Sequence, residues 1–265
     1  MTMAATSMDS PLAFHIQQLG LPPCLLKDAM KMVQDLSIKA REFLHNLDLK
    51  NPSEDEVRAV INLFPESLSH INSEGQLPIH AAVWYEKSVP FVSLLVEEGV
   101  KLKVGVEGKR GGLLVVDPSS SLNLNVLQRL VNMADDDTAS DSVLLDVLKI
   151  LRESNLLFKE DIQQYDLSYW SCNPTSNTRF ECLVDWDPEA LKDCNDTGYP
   201  LIHNAAGGGI EDFVTALNAG LKHFPEELGF LFHKHRDGKS ACERAFDKHG
   251  KDETLKIIQD HIQES

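Results

Sequence analysis

Apolar residues recur every three or four positions near the start of the chain, which is the spacing of one face of an α-helix. Between Leu25 and Leu47 this pattern predicts a long amphipathic helix. Ser53 and Glu56 have the spacing of a capping box and predict a second helix that ends near Phe64. We interpret residues 21–64 as an N-terminal helical cap and residues 1–20 as a disordered tail. The apolar positions of the first helix are Leu26, Ala29, Val33, Leu36, Ala40, Phe43 and Leu47.

A longer pattern occurs three times: a proline, a polar turn with a glycine, and a short helix that contains alanine. It begins at Pro65, recurs without a gap at Pro188, 123 positions later, and returns in part at Pro225. The proline ends the preceding helix, and the glycine predicts a left-handed backbone conformation. A second proline just inside the short helix costs no hydrogen bond, and a serine there predicts an N-cap. The recurring positions are Gly75, Pro78, His80 and Ala82, then Gly198, Pro200, His203 and Ala205, then Gly238, Ser240 and Ala245.

The segment Gly75-Gln76-Leu77-Pro78-Ile79-His80-Ala81-Ala82 resembles the ankyrin-repeat core Gly-x-Thr-Pro-Leu-His-x-Ala. Leu77 replaces the threonine, Pro200 lies one place early in the second copy, and Glu243 replaces the histidine in the third. In ankyrin repeats that threonine and histidine tie the turn to the helix, so these departures imply less regular units. The resemblance implies an all-α, ankyrin-like repeat solenoid of helix pairs with short β-hairpin loops over residues 65–265.

Two stretches interrupt the repeats. Val100, Leu102, Val104 and Val106 alternate with polar residues before a glycine-rich turn, which predicts a β-hairpin finger over residues 101–112. An acidic insertion follows at about residues 134–142. It is interpreted either as a solvated linker or as a phosphorylation site for acidophilic kinases that would add further negative charge. The candidate acceptors are Thr138 and Ser140.

The chain is acidic, with 25 Lys and Arg against 41 Asp and Glu and a formal net charge of −16. This balance argues against nucleic-acid binding and against docking on an anionic membrane surface. The sequence contains no apolar run long enough to cross a membrane. Five widely spaced cysteines do not suggest a disulfide framework and favour a reducing compartment. We therefore expect a cytoplasmic protein, with the nucleus as the alternative, that is monomeric on its own.

Three motifs could carry chemistry, and each has a simpler interpretation. Lys109 in the glycine-rich stretch is followed by Arg110 rather than by the Ser or Thr of a phosphate loop. The pair His233 and His235 lacks a second pair of metal ligands at regular spacing. Asp185 and Asp187 fall where a proline turn begins and are interpreted as solvated. We expect no catalytic residue, no metal and no cofactor, and hence no enzyme.

Aromatic residues are the clearest candidates for binding a partner, because Trp, Tyr and Arg most often anchor interfaces. In ankyrin-like stacks the short helices and turn tips line the face that binds proteins. Since the chain is acidic, a partner with a basic segment would be attracted to it. The alternative is that the rings fill gaps between irregular units. The candidate partner-binding residues are Trp84, Tyr85, Tyr169, Trp170, Tyr199 and Arg236.

These observations favour a non-catalytic scaffold or adaptor that binds other proteins through the concave face of the repeats. Two alternatives remain. One is a regulatory adaptor, for ubiquitin ligation or signalling, that acts through an N-terminal arm of residues 1–50. The other is an enzyme subunit whose repeats carry substrates. Close packing of the helix at residues 25–47 on the repeats would count against the arm.

Overall fold

Helices account for most of the chain in a computed structural model that describes residues 10–105, 109–132, 140–194 and 198–264, the side chain of residue 264 excepted. No strand occurs among these residues, and the predicted all-α class is confirmed. The residues group into two compact units, one that extends to Arg129 and one that begins at Leu130. The boundary lies just before the acidic insertion. The short helix α7 (Val126–Asn132) crosses it. The helices are numbered in chain order.

The first unit is built around one long helix. Helix α2 contacts α1, α4 and α5, and its Val33 and Ala40 share a small apolar core with Ala13 and Phe64. The helices of this unit are α1 (Pro11–Gln18), α2 (Pro23–His45), α3 (Leu47–Lys50), α4 (Glu54–Leu63), α5 (Pro78–Ala82) and α6 (Val92–Lys101).

The prediction of a disordered tail is wrong over residues 11–18, which form α1. Ser10 caps this helix, since its Oγ accepts a hydrogen bond from the backbone N–H of Ala13 at 3.1 Å. Ala13 is 1% exposed against the small core of α2. One buried alanine beside a capping serine is too weak a signal to read from the sequence. Residues 1–9 lie outside the described residues.

The predicted N-terminal cap is helical, and Val33 and Ala40 are buried as the pattern predicts, but elsewhere the buried face differs from the predicted one. Leu36, which the pattern places on the apolar face of the helix, is 40% exposed, whereas the neighbouring Ser37 is buried. The Ser37 hydroxyl donates to Oε1 of Glu66 at 3.1 Å, which allows a serine to face the packed side. Ser53 and Glu56 form the predicted capping box at the start of α4.

The repeated proline corner is confirmed at all three positions. Phe64, Asp187 and Phe224 precede the prolines, have φ between −135° and −134°, and donate a backbone hydrogen bond to the carbonyl four residues earlier. Each proline then opens a 3₁₀ turn. The turn glycines also adopt the predicted left-handed conformation; their φ values are 82° at Gly75, 77° at Gly198 and 80° at Gly238.

The predicted β-hairpin finger over residues 101–112 is wrong wherever that stretch is described. Val100 and Lys101 belong to α6, and Arg110–Gly112 form a 3₁₀ turn. A Cβ added to Gly99 would lie 2.4 Å from the carbonyl oxygen of Gly111, so only glycine permits this contact of helix and turn. Tertiary packing therefore overrides the alternating pattern. Val106 lies outside the described residues.

The short β-hairpin loops that the resemblance implies do not occur in the described ranges. Single bridges, not strands, close the turns that precede the short helices in the described ranges. Each joins a residue before the turn to a residue at the start of the next helix. The bridged pairs are Val116 with Asn125, Cys194 with Pro200, and Lys234 with Ser240.

The second unit contains three successive helix pairs. Within the pairs, α10 packs on α11, α12 on α13, and α14 on α15; between them, α12 contacts α14, and α13 contacts α11 and α15. Helix α8 packs on the outer side of this set against α11. Gly208 and Gly209 form the turn between α12 and α13. The helices are α8 (Asp141–Glu153), α9 (Lys159–Gln164), α10 (Leu167–Ser171), α11 (Asn177–Trp186), α12 (Leu201–Gly207), α13 (Ile210–His223), α14 (Ala241–His249) and α15 (Lys251–Glu264).

Candidate partner-binding surface

Trp84 and Tyr85 follow α5 in the first unit and differ in exposure. The guanidinium carbon of Arg129 lies 3.2 Å from the centroid of the half-buried Trp84 ring. Burial lowers the pKa of Arg129. The ring of Tyr85 is 53% exposed. Trp84 therefore serves packing within the unit, and Tyr85 is the member of this pair that a partner could reach.

Tyr169 and Trp170 lie on α10 in the second unit, and both are half-buried. The Tyr169 hydroxyl donates to the backbone oxygen of Asp193 at 2.8 Å and also contacts the backbone oxygen of Tyr199. These contacts tie α10 to the turn that precedes α12. The contacts of Tyr169 therefore favour the alternative interpretation from the sequence, in which the ring fills a gap between units.

Tyr199 lies at the centre of an aromatic and cationic group of the second unit. Its ring centroid is 4.2 Å from that of His235, 4.0 Å from the guanidinium carbon of Arg244 and 5.8 Å from that of Arg236. We call these four residues the Tyr199 cluster. Arginine over a tyrosine face is a stabilising cation–π arrangement. The cluster brings the predicted residues Tyr199 and Arg236 together with two residues that sequence reasoning missed.

A tight turn before α14 positions the cluster. His235 donates its backbone N–H to the carbonyl of Lys239 at 3.0 Å, and Gly238 donates to the carbonyl of His235 at 2.8 Å. The turn of the first repeat has the same two hydrogen bonds. The backbone N–H of Asn72 donates to the carbonyl of Gln76 at 2.9 Å, and that of Gly75 donates to the carbonyl of Asn72 at 3.1 Å. The repeat position therefore explains why His235 and Arg236 project from this turn.

At the start of the helix that follows each of these two turns, a side chain of the helix accepts a backbone N–H, but the residue that does so differs. His80 Nδ1 accepts the backbone N–H of Leu77 at 3.1 Å, so its Nε2 carries the proton and donates to the carbonyl of Val115 at 3.1 Å. In the third repeat, Glu243 accepts the backbone N–H of Ser240 at 2.7 Å. Ser240 in turn caps α14, as predicted. The glutamate thus performs the capping half of the histidine's role.

The second proline of the pattern occupies different places in the first two repeats. Pro78 is the first residue of α5, as predicted, whereas Pro200 precedes α12 at the cap position. Burial lowers the pKa of both His80 and His203. The alanines at the motif positions, Ala82, Ala205 and Ala245, are buried.

The Tyr199 cluster carries positive charge with partial compensation. Arg244 pairs with Asp237, and hydrogen bonding from Arg244 lowers the pKa of that carboxyl. Lys239 pairs with Asp247 at 2.5 Å. Lys234 and Arg236 are exposed on the same turn. Four cations, Lys234, Arg236, Lys239 and Arg244, thus face three carboxylates, Asp237, Glu243 and Asp247, which leaves a small positive excess on a chain whose formal net charge is −16.

The carboxylates beside Trp186 are only partly solvated, contrary to the sequence interpretation. Asp187 is 2% exposed, accepts a hydrogen bond from Gln163 at 2.9 Å and pairs with Lys159 at 3.2 Å. Asp185 pairs with Lys222 at 2.6 Å, and that contact lowers its pKa. Both carboxylates are thus engaged in ion pairs within the unit.

The candidate metal ligand His233 and the candidate phosphorylation site Ser140 both lie among the described residues. His233 pairs with Glu227 at 3.4 Å, and no group of three or more potential metal ligands occurs in the described ranges. Ser140 is exposed at the N-cap of α8, while Thr138 lies outside the described residues, so phosphorylation stays a prediction. None of the described helices combines the length and apolarity needed to cross a membrane.

Comparisons with known proteins do not extend this picture. No protein-family model, no curated protein and no solved structure matches the chain.

Proposed function

We propose that the chain is a non-catalytic protein-interaction scaffold or adaptor, with divergent ankyrin-like repeats, that contacts its partner through the Tyr199 cluster. The observation that carries the proposal is the packing of the Arg244 guanidinium and of the tilted His235 ring against the ring of Tyr199, beside the exposed Arg236. Tyrosine and arginine held rigidly on one surface lose little conformational entropy on binding and are frequent interface anchors.

The repeat corners support the ankyrin-like assignment within this proposal. Three proline corners with nearly the same backbone angles, each followed by a glycine turn and a short buried helix, describe one structural unit used repeatedly. Stacked units of this kind present their turns on one side, where side chains are free of the packing that fills the core. Tyr199, His235 and Arg236 of the Tyr199 cluster lie on two such turns, and Arg244 lies on α14.

The charge of the cluster defines the chemistry of the segment that it would contact. Arg236, Arg244 and Lys234 favour a partner segment with Asp or Glu beside an apolar side chain. The basic segment predicted from the overall charge suits this cluster less well.

A selection from a displayed random-peptide library tests the proposal. The full chain is immobilised, and the selected peptides are measured on three proteins: the native chain, the double variant Tyr199→Ala/Arg236→Glu, and the control Arg152→Glu. Arg152 is a matched control because it is also exposed and lies 4.1 Å from an aromatic ring, that of Trp186. We expect acidic peptides whose affinity falls by about tenfold in the double variant only.

Two results would contradict the proposal. The first is a library that yields no peptide above background on the native chain. The second is a set of peptides that bind the native chain and both variants equally. Circular dichroism and thermal melting of each variant establish that it is folded before the affinities are compared.

The packing of α2 weighs against the alternative of a free N-terminal arm. Val33, Ser37, Ala40 and Leu44 are buried on one side of this helix, which contacts α4 and α5. Removing the helix from the unit would expose all four residues, so we do not favour an adaptor that acts through residues 1–50.

A further inference from the structure

A groove of about 680 Å³ lies between α11 and α13 and is bordered at one side by α15. Its floor is apolar, with Phe180, Val184 and Ala219 buried beneath it. The walls of the groove combine half-exposed apolar side chains with polar ones; the apolar residues are Ile210, Val214 and Ile257, and the polar ones include Asn177, Thr215 and Asn218. None of these residues belongs to the Tyr199 cluster, so this is a separate surface of the second unit.

The rim of the groove is acidic. Glu181, Glu211 and Glu253 are exposed around it, and no lysine, arginine or histidine of the described chain pairs with them. Asp185 also lines the groove, but it pairs with Lys222 at 2.6 Å and is within hydrogen-bonding distance of His223 Nε2 at 2.9 Å. Three carboxylates are therefore available to cations from outside, above an apolar floor.

We propose that this groove binds an amphipathic helix of a partner protein, with apolar residues on one face and Lys or Arg along its flanks. The inference rests on the proposed function, in that the chain binds proteins, but it uses different elements. Helix-in-groove recognition places the apolar face on the floor and the charges on the rim. It also agrees with the basic partner segment predicted from the net charge.

A helix suits the groove better than an extended segment. The groove is walled by helices, and the described residues offer no strand edge there to pair with an extended backbone. A helix satisfies its own backbone hydrogen bonds and needs only side-chain contacts. Since α13 has 14 residues and a helix rises about 1.5 Å per residue, a partner helix of about four turns would span the wall.

The test uses two fluorescent peptides of about four helical turns with identical leucine positions. One carries lysines on both flanks of the leucine face, and the other carries glutamates at the same positions. Binding to the full chain is followed by fluorescence anisotropy, and helix formation on binding by circular dichroism. We expect the lysine peptide to bind and become helical, and the glutamate peptide to remain unbound.

Matched variants locate the binding. The groove variant Glu181→Gln/Glu211→Gln/Glu253→Gln removes three rim charges, and the control Glu153→Gln/Glu160→Gln/Glu226→Gln removes three exposed charges from elsewhere in the same unit. We expect the affinity for the lysine peptide to fall by about tenfold in the groove variant and by much less in the control. Val214→Arg, which fills the groove and repels the peptide, should weaken binding as well.

Three outcomes would overturn the inference: equal weakening by the two triple variants, equal binding of the two peptides, or no binding of the lysine peptide to the native chain. Equal weakening would mean attraction by the overall negative charge alone. The peptides selected on the Tyr199 cluster serve as the second readout. If they still bind, the groove has failed while the proposed function stands; if they also fail, the proposed function has failed too.

Discussion

Arg179 of α11 is 1% exposed and donates from Nε to the carboxylate of Asp141, the first residue of α8. Its Nη1 donates to the carbonyl of Leu130 at 2.6 Å. The other oxygen of Asp141 accepts from the backbone and hydroxyl of Thr178. A residue of the predicted acidic insertion thus compensates a buried cation and caps a neighbouring helix. Burial lowers the pKa of Arg179, but a guanidinium remains charged at neutral pH.

Replacing Asp141 should therefore destabilise the second unit strongly. In Asp141→Asn the buried guanidinium loses its counter-charge, and we expect a loss of about 3–5 kcal/mol in the free energy of unfolding measured in urea. Asp146→Asn is the control, because Asp146 lies on the same helix in an exposed pair with Lys149 and should cost less than about 1 kcal/mol. Equal effects of the two substitutions would show that the buried pair contributes no more than the exposed one.

Gly220 should tolerate no side chain. A Cβ at Gly220 would lie 2.8 Å from both Cα and O of Gly229, so the helix and the following turn would have to separate. We expect Gly220→Ala to cost about 1–3 kcal/mol in chemical denaturation. At Gly207, which is also helical, an added Cβ meets only the end of Arg244 at 3.8 Å. Gly207→Ala should therefore be neutral or stabilising, and a cost as large as that of Gly220→Ala would contradict this account.

His80 should make stability depend on pH. Burial lowers its pKa below the ordinary value of 6.5, so the unfolded chain binds the proton more tightly. The stabilisation is complete above about pH 6.5 and is lost as the pH falls from there towards the lower folded pKa. His80→Gln keeps an acceptor and a donor without titrating, so unfolding free energies should fall less steeply between about pH 7.5 and 5.5.

The exposed His15→Gln supplies the control for this measurement, because it removes a surface histidine by the same substitution. His203, whose pKa burial also lowers, contributes with the same sign in every variant. An unchanged slope in His80→Gln would show that His80 does not drive the pH dependence.

Cys172 should resist alkylation in the folded chain. Burial raises the pKa of its thiol to about 12, whereas Cys24 and Cys194 are exposed. Because the thiolate is the nucleophile, iodoacetamide at about pH 8 should label the two exposed cysteines first and Cys172 only after unfolding. Peptide mapping by mass spectrometry gives the rate at each site, and labelling of Cys172 as fast as Cys24 would contradict the prediction.

Features that depend on the local backbone could be predicted from the sequence. The proline corners at Pro65, Pro188 and Pro225 and the left-handed glycines occur where expected. Proline removes a backbone donor and glycine alone takes positive φ cheaply, and neither effect needs a distant partner. The capping box at Ser53 and the N-cap at Ser240 are local for the same reason. The candidate residues Tyr199 and Arg236 followed from residue type and turn position.

Features that depend on residues far apart in the chain were decided by the tertiary structure. The stretch from Val100 to Gly112 alternates like a strand, yet the contact of Gly99 with Gly111 holds helix and turn together. Arg179 is buried only because Asp141 reaches it from another helix. Arg244 and His235 joined the candidate site because their turn and helix pack beside Tyr199. The energies of such contacts come from burial and from charge pairing across elements, which no local pattern of residues encodes.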